Sequence, residues 1–337
     1  MTSGPDSRPG TRPGEFETIA RLFRPLAEGA PEARALADDV AVLPPRPGFD
    51  LVVTQDAMVE GVHFLPDDPL DTVAKKLLRV NLSDLAAKGA EPYGYLLTTA
   101  WSPRCGWAER EAFARGLAED QARYGIRLFG GDTVATPGPL TLSLTALGFA
   151  PHGRALSRSG ARPGEVVLVT GTIGDGCLGL RALSGGIGDL EPEHRQALAG
   201  RYRLPEPRTT LAGLLREHAT ASADISDGLV ADAGHIAEVS GVGIVLDLER
   251  TPLSRAAQAW LGRQGDQPAA LAELASGGDD YEVVFTASPE RLEALQHAAA
   301  GSGTALTVVG RVVEGGGVEA RFQGAPLAVG SGGWRHD

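Results

Sequence analysis

A chain of 337 residues with 42% hydrophobic and 22% charged residues has ordinary globular composition and is long enough for two cores. Its net charge of −12 opposes binding to nucleic-acid backbones and anionic membranes, yet leaves room for a polyphosphate held through metal ions. Cys105 and Cys177 lie far apart and outside any CxxC or Cys/His cluster, which argues against a disulfide framework or a zinc site and fits a reducing, cytoplasmic setting.

Residues 1–13 are rich in Pro, Gly, Ser and Arg and carry no apolar stretch, so they read as a disordered lead-in rather than a signal peptide. No apolar run reaches the ~20 residues a membrane helix needs. Phe16 to Phe23 reads as a short amphipathic helix with Phe16, Ile19, Ala20 and Phe23 on one face. Leu51 to Thr54 reads as a strand delivering Asp56 at its end. Asp71 is a candidate N-cap for a helix that turns Val73, Leu77, Leu78, Leu82 and Leu85 to a core. Asn81, Asp84 and Lys88 share another face of that helix, Lys88 pairing with Asp84 or meeting solvent, and Gly89 can end it.

Tyr95 to Ala100 is an expected strand and Trp107 to Tyr124 an expected helix. Ile126 to Phe129 is another strand, running into Gly130-Gly131-Asp132, and Leu140 to Phe149 alternates as a half-buried strand does. The Arg-, Gly-, Ser- and Pro-rich segment 151–164 marks a domain boundary, giving domains at 14–150 and 151–337. Beyond it, Glu165 to Thr170, Gly243 to Leu248 and Tyr281 to Thr286 read as strands, and Pro207 to Ala219 as a helix. Asp175 is expected to cap a helix after Gly171 to Gly176, and Asp224 to Gly228 precedes another helix.

The recurring chemical device is an aspartate at a strand end or beside a glycine: Asp38-Asp39, Asp56, Gly131-Asp132, Asp224 with Asp227-Gly228, and Gly278-Asp279-Asp280, with Asp84 added from a helix face. Any one of them also reads as a helix cap or an Asx-turn. Together they suit Mg²⁺, because clustered carboxylates repel one another unless cations lie between them, and Mg²⁺ takes hard oxygen ligands together with substrate phosphates. Lysine occurs only at 75, 76 and 88, and there is no P-loop and no protein-kinase signature, so phosphoryl transfer here would rely on metal ions and arginine. The Asp224-x-Ser226-Asp227-Gly228 segment places two carboxylates and a hydroxyl just before a helix N-terminus, where N–H groups favour anions.

These segments resemble the thiamine-monophosphate kinase family, within the superfamily of aminoimidazole-ribonucleotide synthetase. The resemblance runs from Gly14 to Trp334 and is most specific at Val59 to Phe64, Val80 to Ala90, Gly130 to Thr133, Gly153 to Gly160, Asp224 to Leu229 and Ser276 to Glu282. It implies a two-domain α/β (PurM-like) fold, an N-terminal sheet forming a barrel-like interface in a homodimer, and a C-terminal domain with a mixed sheet. It implies in-line transfer of the γ-phosphoryl of ATP to thiamine monophosphate, without a phosphoenzyme, with several Mg²⁺ ions as cofactor. By the same resemblance Asp39, Thr54, Gln55, Asp56, Asp84, Asp132, Asp224 and Asp227 match metal ligands, with Asp84, Asp132 and Asp227 central to catalysis. Tyr124, Gly131, Asp132, Arg158 and Ser226 match ATP contacts, and His63, Asp279 and Trp334 match contacts to thiamine monophosphate.

Three positions depart from the family pattern. Thr54-Gln55-Asp56 stands where Ser-Thr-Asp or Thr-Thr-Asp is common, Asp279 where Glu is common, and Ala37 where Gly precedes the Asp-Asp pair. Other ATP-dependent members of the superfamily and a metal-dependent phosphatase are the competing readings. A selenophosphate synthetase would want a reactive cysteine near the N-terminus, whereas the first here is Cys105.

Overall fold

The computed structural model describes residues 14–329, so the expected lead-in at 1–13 and Trp334 lie outside the described residues. The strands are β1 (Phe49–Val59), β2 (Glu91–Trp101), β3 (Arg127–Ala135), β4 (Thr141–Pro151), β5 (Val166–Thr170), β6 (Ala221–Asp224), β7 (Gly243–Asp247), β8 (Val283–Ala287), β9 (Leu306–Val313), β10 (Gly317–Phe322) and β11 (Ala325–Pro326). The helices are α1 (Glu15–Thr18), α2 (Leu70–Ala87), α3 (Trp107–Tyr124), α4 (Asp175–Leu183), α5 (Pro192–Arg203), α6 (Ala212–His218), α7 (Leu229–Ser240), α8 (Arg255–Leu261), α9 (Gln267–Ser276) and α10 (Leu292–Gly301). Strands β1 to β4 form a four-stranded sheet in the order β1-β4-β2-β3, and the other seven form a mixed sheet in the order β11-β10-β7-β9-β5-β8-β6.

The chain divides into two compact units: the described part of Met1–Pro45 with Gln55–Leu77 and Gly94–Thr145, and Arg46–Thr54 with Leu78–Tyr93 and the described part of Ala146–Asp337. In the first, β2 and β3 pair in parallel, as a strand–helix–strand crossover through α3 requires. Helix α3 buries Phe113 and Leu117 completely and ends at Gly125 in the left-handed conformation. The register between β2 and β3 slips by one residue at Tyr95/Leu96, so Gly131 faces Leu97 and Asp132 faces Thr98.

The second unit is built around the seven-stranded sheet. Its central strands are apolar on both faces, which is what a sheet covered on both sides demands. Val167 and Val169 of β5 join Val284 of β8 in a core with α7 and α9. Leu168 of β5 and Val283 and Phe285 of β8 point the other way, into a core with α6 and α10. Leu78, Leu82 and Leu85 of α2 are fully buried, each contributing about 1.5–3 kcal/mol by leaving water.

Several local expectations change. Phe16 is 81% exposed and Ala20 also faces solvent, because the helix begun by α1 widens into a π-helical stretch, Ile19–Phe23, and the 3.6-residue spacing no longer applies. Asp56 lies inside β1 rather than at its end, and Asp71 lies in the first turn of α2 rather than capping it. The strand expected at Ile126 to Phe129 extends through Gly130-Gly131-Asp132 to Ala135. Gly131 has φ +150°, and a Cβ there would lie 1.8 Å from the Leu97 carbonyl oxygen, so the neighbouring strand itself requires glycine.

Candidate active site

In the second unit a polar cluster forms where the C-terminal half of α2 meets β6. Asp84 and Lys88 are four residues apart and share one face of the helix. The Thr54 hydroxyl donates to Asp84 Oδ2 at 2.5 Å. Lys88 is half-buried and is neither solvated nor paired only along its helix: its ammonium donates to the Ser222 carbonyl at 2.6 Å, and the Ser222 hydroxyl in turn donates to the Ala87 carbonyl. These contacts fasten the helix end to β6 and bring Asp84 toward Asp224, the last residue of that strand.

Asp224 is 5% exposed. Burial first, then the carboxylates of Asp84 and Asp232, push its pKa well above the ordinary carboxylate range, against the Ser83 hydroxyl and Lys88. Asp232, on α7, is pushed up to about 7 by burial and then by Asp227, with Arg158 opposing. Lys88 is lowered by burial and then by Arg158, while Asp224, Asp84 and Asp232 raise it. Asp84, Asp224 and Asp232 thus act on Lys88, and Asp227 and Arg158 act on Asp232, linking four carboxylates and two cationic side chains in one chain of electrostatic contacts. Such crowding favours a bound cation.

The loop from Asp224 to Gly228 is zipped against the segment before β8. Ile225 N–H donates to the Glu282 carbonyl at 2.7 Å, Tyr281 N–H to the Ile225 carbonyl at 2.8 Å, and Asp279 N–H to the Ser226 carbonyl at 2.9 Å. Asp279 and Tyr281 take left-handed φ angles of 69° and 51° to make this pairing. A Cβ on Gly228, at φ +117°, would sit 2.8 Å from the Ser276 carbonyl group, so only glycine lets the two segments approach. Ser226, Asp227 and Asp279 are therefore neighbours along two paired loops, and Ser226 and Asp227 stand directly before the N-terminus of α7.

Two further acids hold this frame: Glu282, which the sequence reading assigned no role, and Asp280, read there only as part of the Gly278-Asp279-Asp280 motif. Glu282, fully buried, accepts from Arg208 Nε at 2.6 Å, Arg201 at 3.0 Å and Thr170 at 2.6 Å. Asp280 accepts from Gly174 N–H at 2.7 Å and Gly176 N–H at 3.0 Å, so it, and not Asp175, caps α4. Asp175 instead accepts from the Thr172 and Ser254 hydroxyls. Asp232 was also missed; its spacing of five residues from Asp227, on the next helix, is the signal that could have found it.

Of the other expected site residues among those described, all but Arg158 fall in the first unit. Asp39 is exposed beside Asp38, whose carboxylate pairs with Arg34. Gln55 is exposed and donates to the Ser143 hydroxyl at 3.0 Å, and that hydroxyl donates to the Asp56 carbonyl at 3.2 Å. Asp132 is exposed on β3, and Tyr124 is half-buried at the end of α3 with the Arg123 guanidinium 5.2 Å from its ring centre. His63 is half-buried; its Nδ1 accepts from Val59 N–H at 3.0 Å, leaving Nε2 as the nitrogen not used in that bond. Arg158 is exposed in the second unit.

Comparison with known proteins adds the following. Residues 37–150 match the model for the N-terminal domain of AIR synthase related proteins, and residues 162–323 that for the C-terminal domain. The chain is 54% identical over 324 residues to the thiamine-monophosphate kinase of Caulobacter vibrioides, covering 96% of this chain and 91% of that protein. Among solved structures it resembles the thiamine-monophosphate kinase of Stenotrophomonas maltophilia, with TM-score 0.78 and 39% identity over 87% of this chain and 91% of the other. It also resembles AaThiL complexed with AMPPCP and TMP, with TM-score 0.77 and 32% identity over 87% and 89% of the two chains.

Proposed function

The chain belongs to the thiamine-monophosphate kinase family, with that family's two-domain PurM-like α/β fold, and from this premise we propose that it transfers the γ-phosphoryl group of ATP to thiamine monophosphate, yielding thiamine diphosphate and ADP. The observation that carries the reading is the Asp84–Asp224–Asp227 neighbourhood beside the N-terminus of α7, in a chain related across its length to enzymes of this activity.

The donor set fits Mg²⁺: the Asp84, Asp224 and Asp227 carboxylates and the Thr54 hydroxyl are all hard oxygen donors, and the raised pKa of Asp224 reflects a pocket that a cation would relieve. Asp39, Gln55 through its carbonyl, Asp56 and Asp132 are the ligands we assign from the first unit. When bound, Mg²⁺ neutralises charge on the transferring phosphoryl group.

The chain's own groups position the reactants. Ser226 and the free N–H groups at the start of the twelve-residue α7 suit a phosphate of ATP, as does the Arg158 guanidinium. Gly131 and Tyr124 complete the ATP contacts we assign. Asp279, fixed by its bond to the Ser226 carbonyl, offers a carboxylate to the thiazolium cation, and His63 and Trp334 are the other acceptor contacts. The acceptor phosphate is already ionised, so no strong general base is required, and positioning with charge neutralisation carries the rate.

The same reading includes a homodimer and a cytoplasmic setting. Alternate side chains of β1, Leu51 and Val53, are 45% and 55% exposed, and Val134 of β3 is 47% exposed; apolar strand faces of this kind suit a second copy. The two domains we adopt are 14–150 and 151–337. No helix among the described residues is long and apolar enough to cross a membrane, and both cysteines are free thiols.

The test is incubation of the purified chain with ATP, Mg²⁺ and either thiamine monophosphate or thiamine. Thiamine diphosphate should form from the monophosphate alone, with one ADP per product. ATP hydrolysis independent of acceptor would instead identify a phosphatase.

A further inference from the structure

Three potential ligand groups meet at the start of α7. One carboxylate oxygen each of Asp227 and Asp232 and one ring nitrogen of His235 all lie within 4.8 Å of one another. Asp232 and His235 are three residues apart and share a helix face, while Asp227 reaches them from the loop just before the helix.

The cluster has a feature that capping alone leaves unexplained. Asp232 is 1% exposed. Its Oδ2 accepts from the Asp227 N–H at 3.1 Å, which accounts for one oxygen as a brace for the turn. Its Oδ1 is buried and has no hydrogen-bond partner. A buried carboxylate oxygen without a donor is costly to maintain unless a cation or a ligand faces it. Lys88 and Arg158 lie within electrostatic range, but the Lys88 ammonium donates to Ser222 and Arg158 is exposed.

We propose that Asp227, Asp232 and His235 form a binding site for a divalent transition-metal ion of the Zn²⁺ and Co²⁺ class. The imidazole nitrogen decides the class, since Mg²⁺ strongly prefers oxygen donors whereas imidazole with carboxylates suits Zn²⁺, Co²⁺ and their neighbours. Ligands about 2.0–2.2 Å from one such ion stand at most ~4.4 Å apart, so small side-chain rotations close the observed spread. The site shares Asp227 with the Mg²⁺ ligands assigned above, and Asp232 also borders the Asp224 pocket, so it adjoins the kinase site, while His235 belongs to the proposed metal site alone.

The experiment is a titration of the chelator-treated full chain with Co²⁺, without nucleotide, followed by calorimetry and visible absorption. The wild type should bind one equivalent marked by a nitrogen-influenced visible band, distinct from any Co²⁺ held by the all-oxygen donors assigned to Mg²⁺. His235→Ala and Asp232→Asn should each weaken that equivalent at least about tenfold. His235→Gln, which keeps a polar planar side chain, serves as the second variant if alanine lowers thermal stability. Equal Co²⁺ affinity in the wild type and the His235 variants overturns the proposal, as does the absence of any such equivalent in the wild type. A failure of the kinase reading would appear elsewhere, as no thiamine diphosphate formed while Co²⁺ binding stays intact.

Discussion

Asp224 sits at the point of highest electrostatic tension, buried at the end of β6 with the Asp84 and Asp232 carboxylates raising its pKa. The opposite situation holds at Asp50 and His152, an exposed pair 2.7 Å apart. The hydrogen bond to Asp50 raises His152 above 6.5, and the same bond lowers Asp50 below 3.8. The histidine's share of the pair is complete below its unfolded value and is lost as pH rises through the folded one. The aspartate's share is lost as pH falls through its lowered folded value. A proton NMR titration should place His152 above 6.5, and Asp50→Asn should return it toward 6.5; an unmoved value would remove the pairing. At this scale the acids were readable as a class, because strand-end and glycine-flanked aspartates stand out in sequence. Their division of labour was not: Asp280 supports α4 while its neighbour Asp279 faces the site loop, and only the fold separates them.

Two elements show which local rules governed. Helix α3 was readable to its ends, since its apolar spacing and Gly125 agree. The Phe16 helix was not, because a π-helical stretch changes the period on which the reading rested. The strand expected to end at Phe129 continues through the glycine pair and Asp132, because strand pairing places them inside β3. Gly131→Ala should accordingly destabilise the protein by more than about 1 kcal/mol without any nucleotide, since the added Cβ meets the Leu97 carbonyl. Thermal melts of the ligand-free variant decide this; an unchanged midpoint would assign the glycine to ligand approach alone. Asp280→Ala leaves the Gly174 and Gly176 N–H groups without their acceptor and should cost roughly 1–3 kcal/mol in urea unfolding. A loss below ~0.5 kcal/mol would mean that water or another group takes over the cap.

For the molecule as a whole, a two-domain α/β fold was readable from length and from the alternation of strands and helices. The seven-stranded order was not, because parallel and antiparallel neighbours such as β10-β7 and β7-β9 join segments far apart in the chain. Sequence spacing cannot set such pairings, although the apolar run Val167, Leu168 and Val169 does mark a strand buried on both faces. The account of function depends on carboxylates such as Asp84 acting through Mg²⁺ rather than through the fold. The most direct measurement is the kcat of Asp84→Asn for thiamine diphosphate formation across a Mg²⁺ titration, with folding checked by circular dichroism. A folded variant slowed about 100-fold or more, most severely at limiting Mg²⁺, is the predicted result. Near-normal turnover at limiting Mg²⁺ would contradict it.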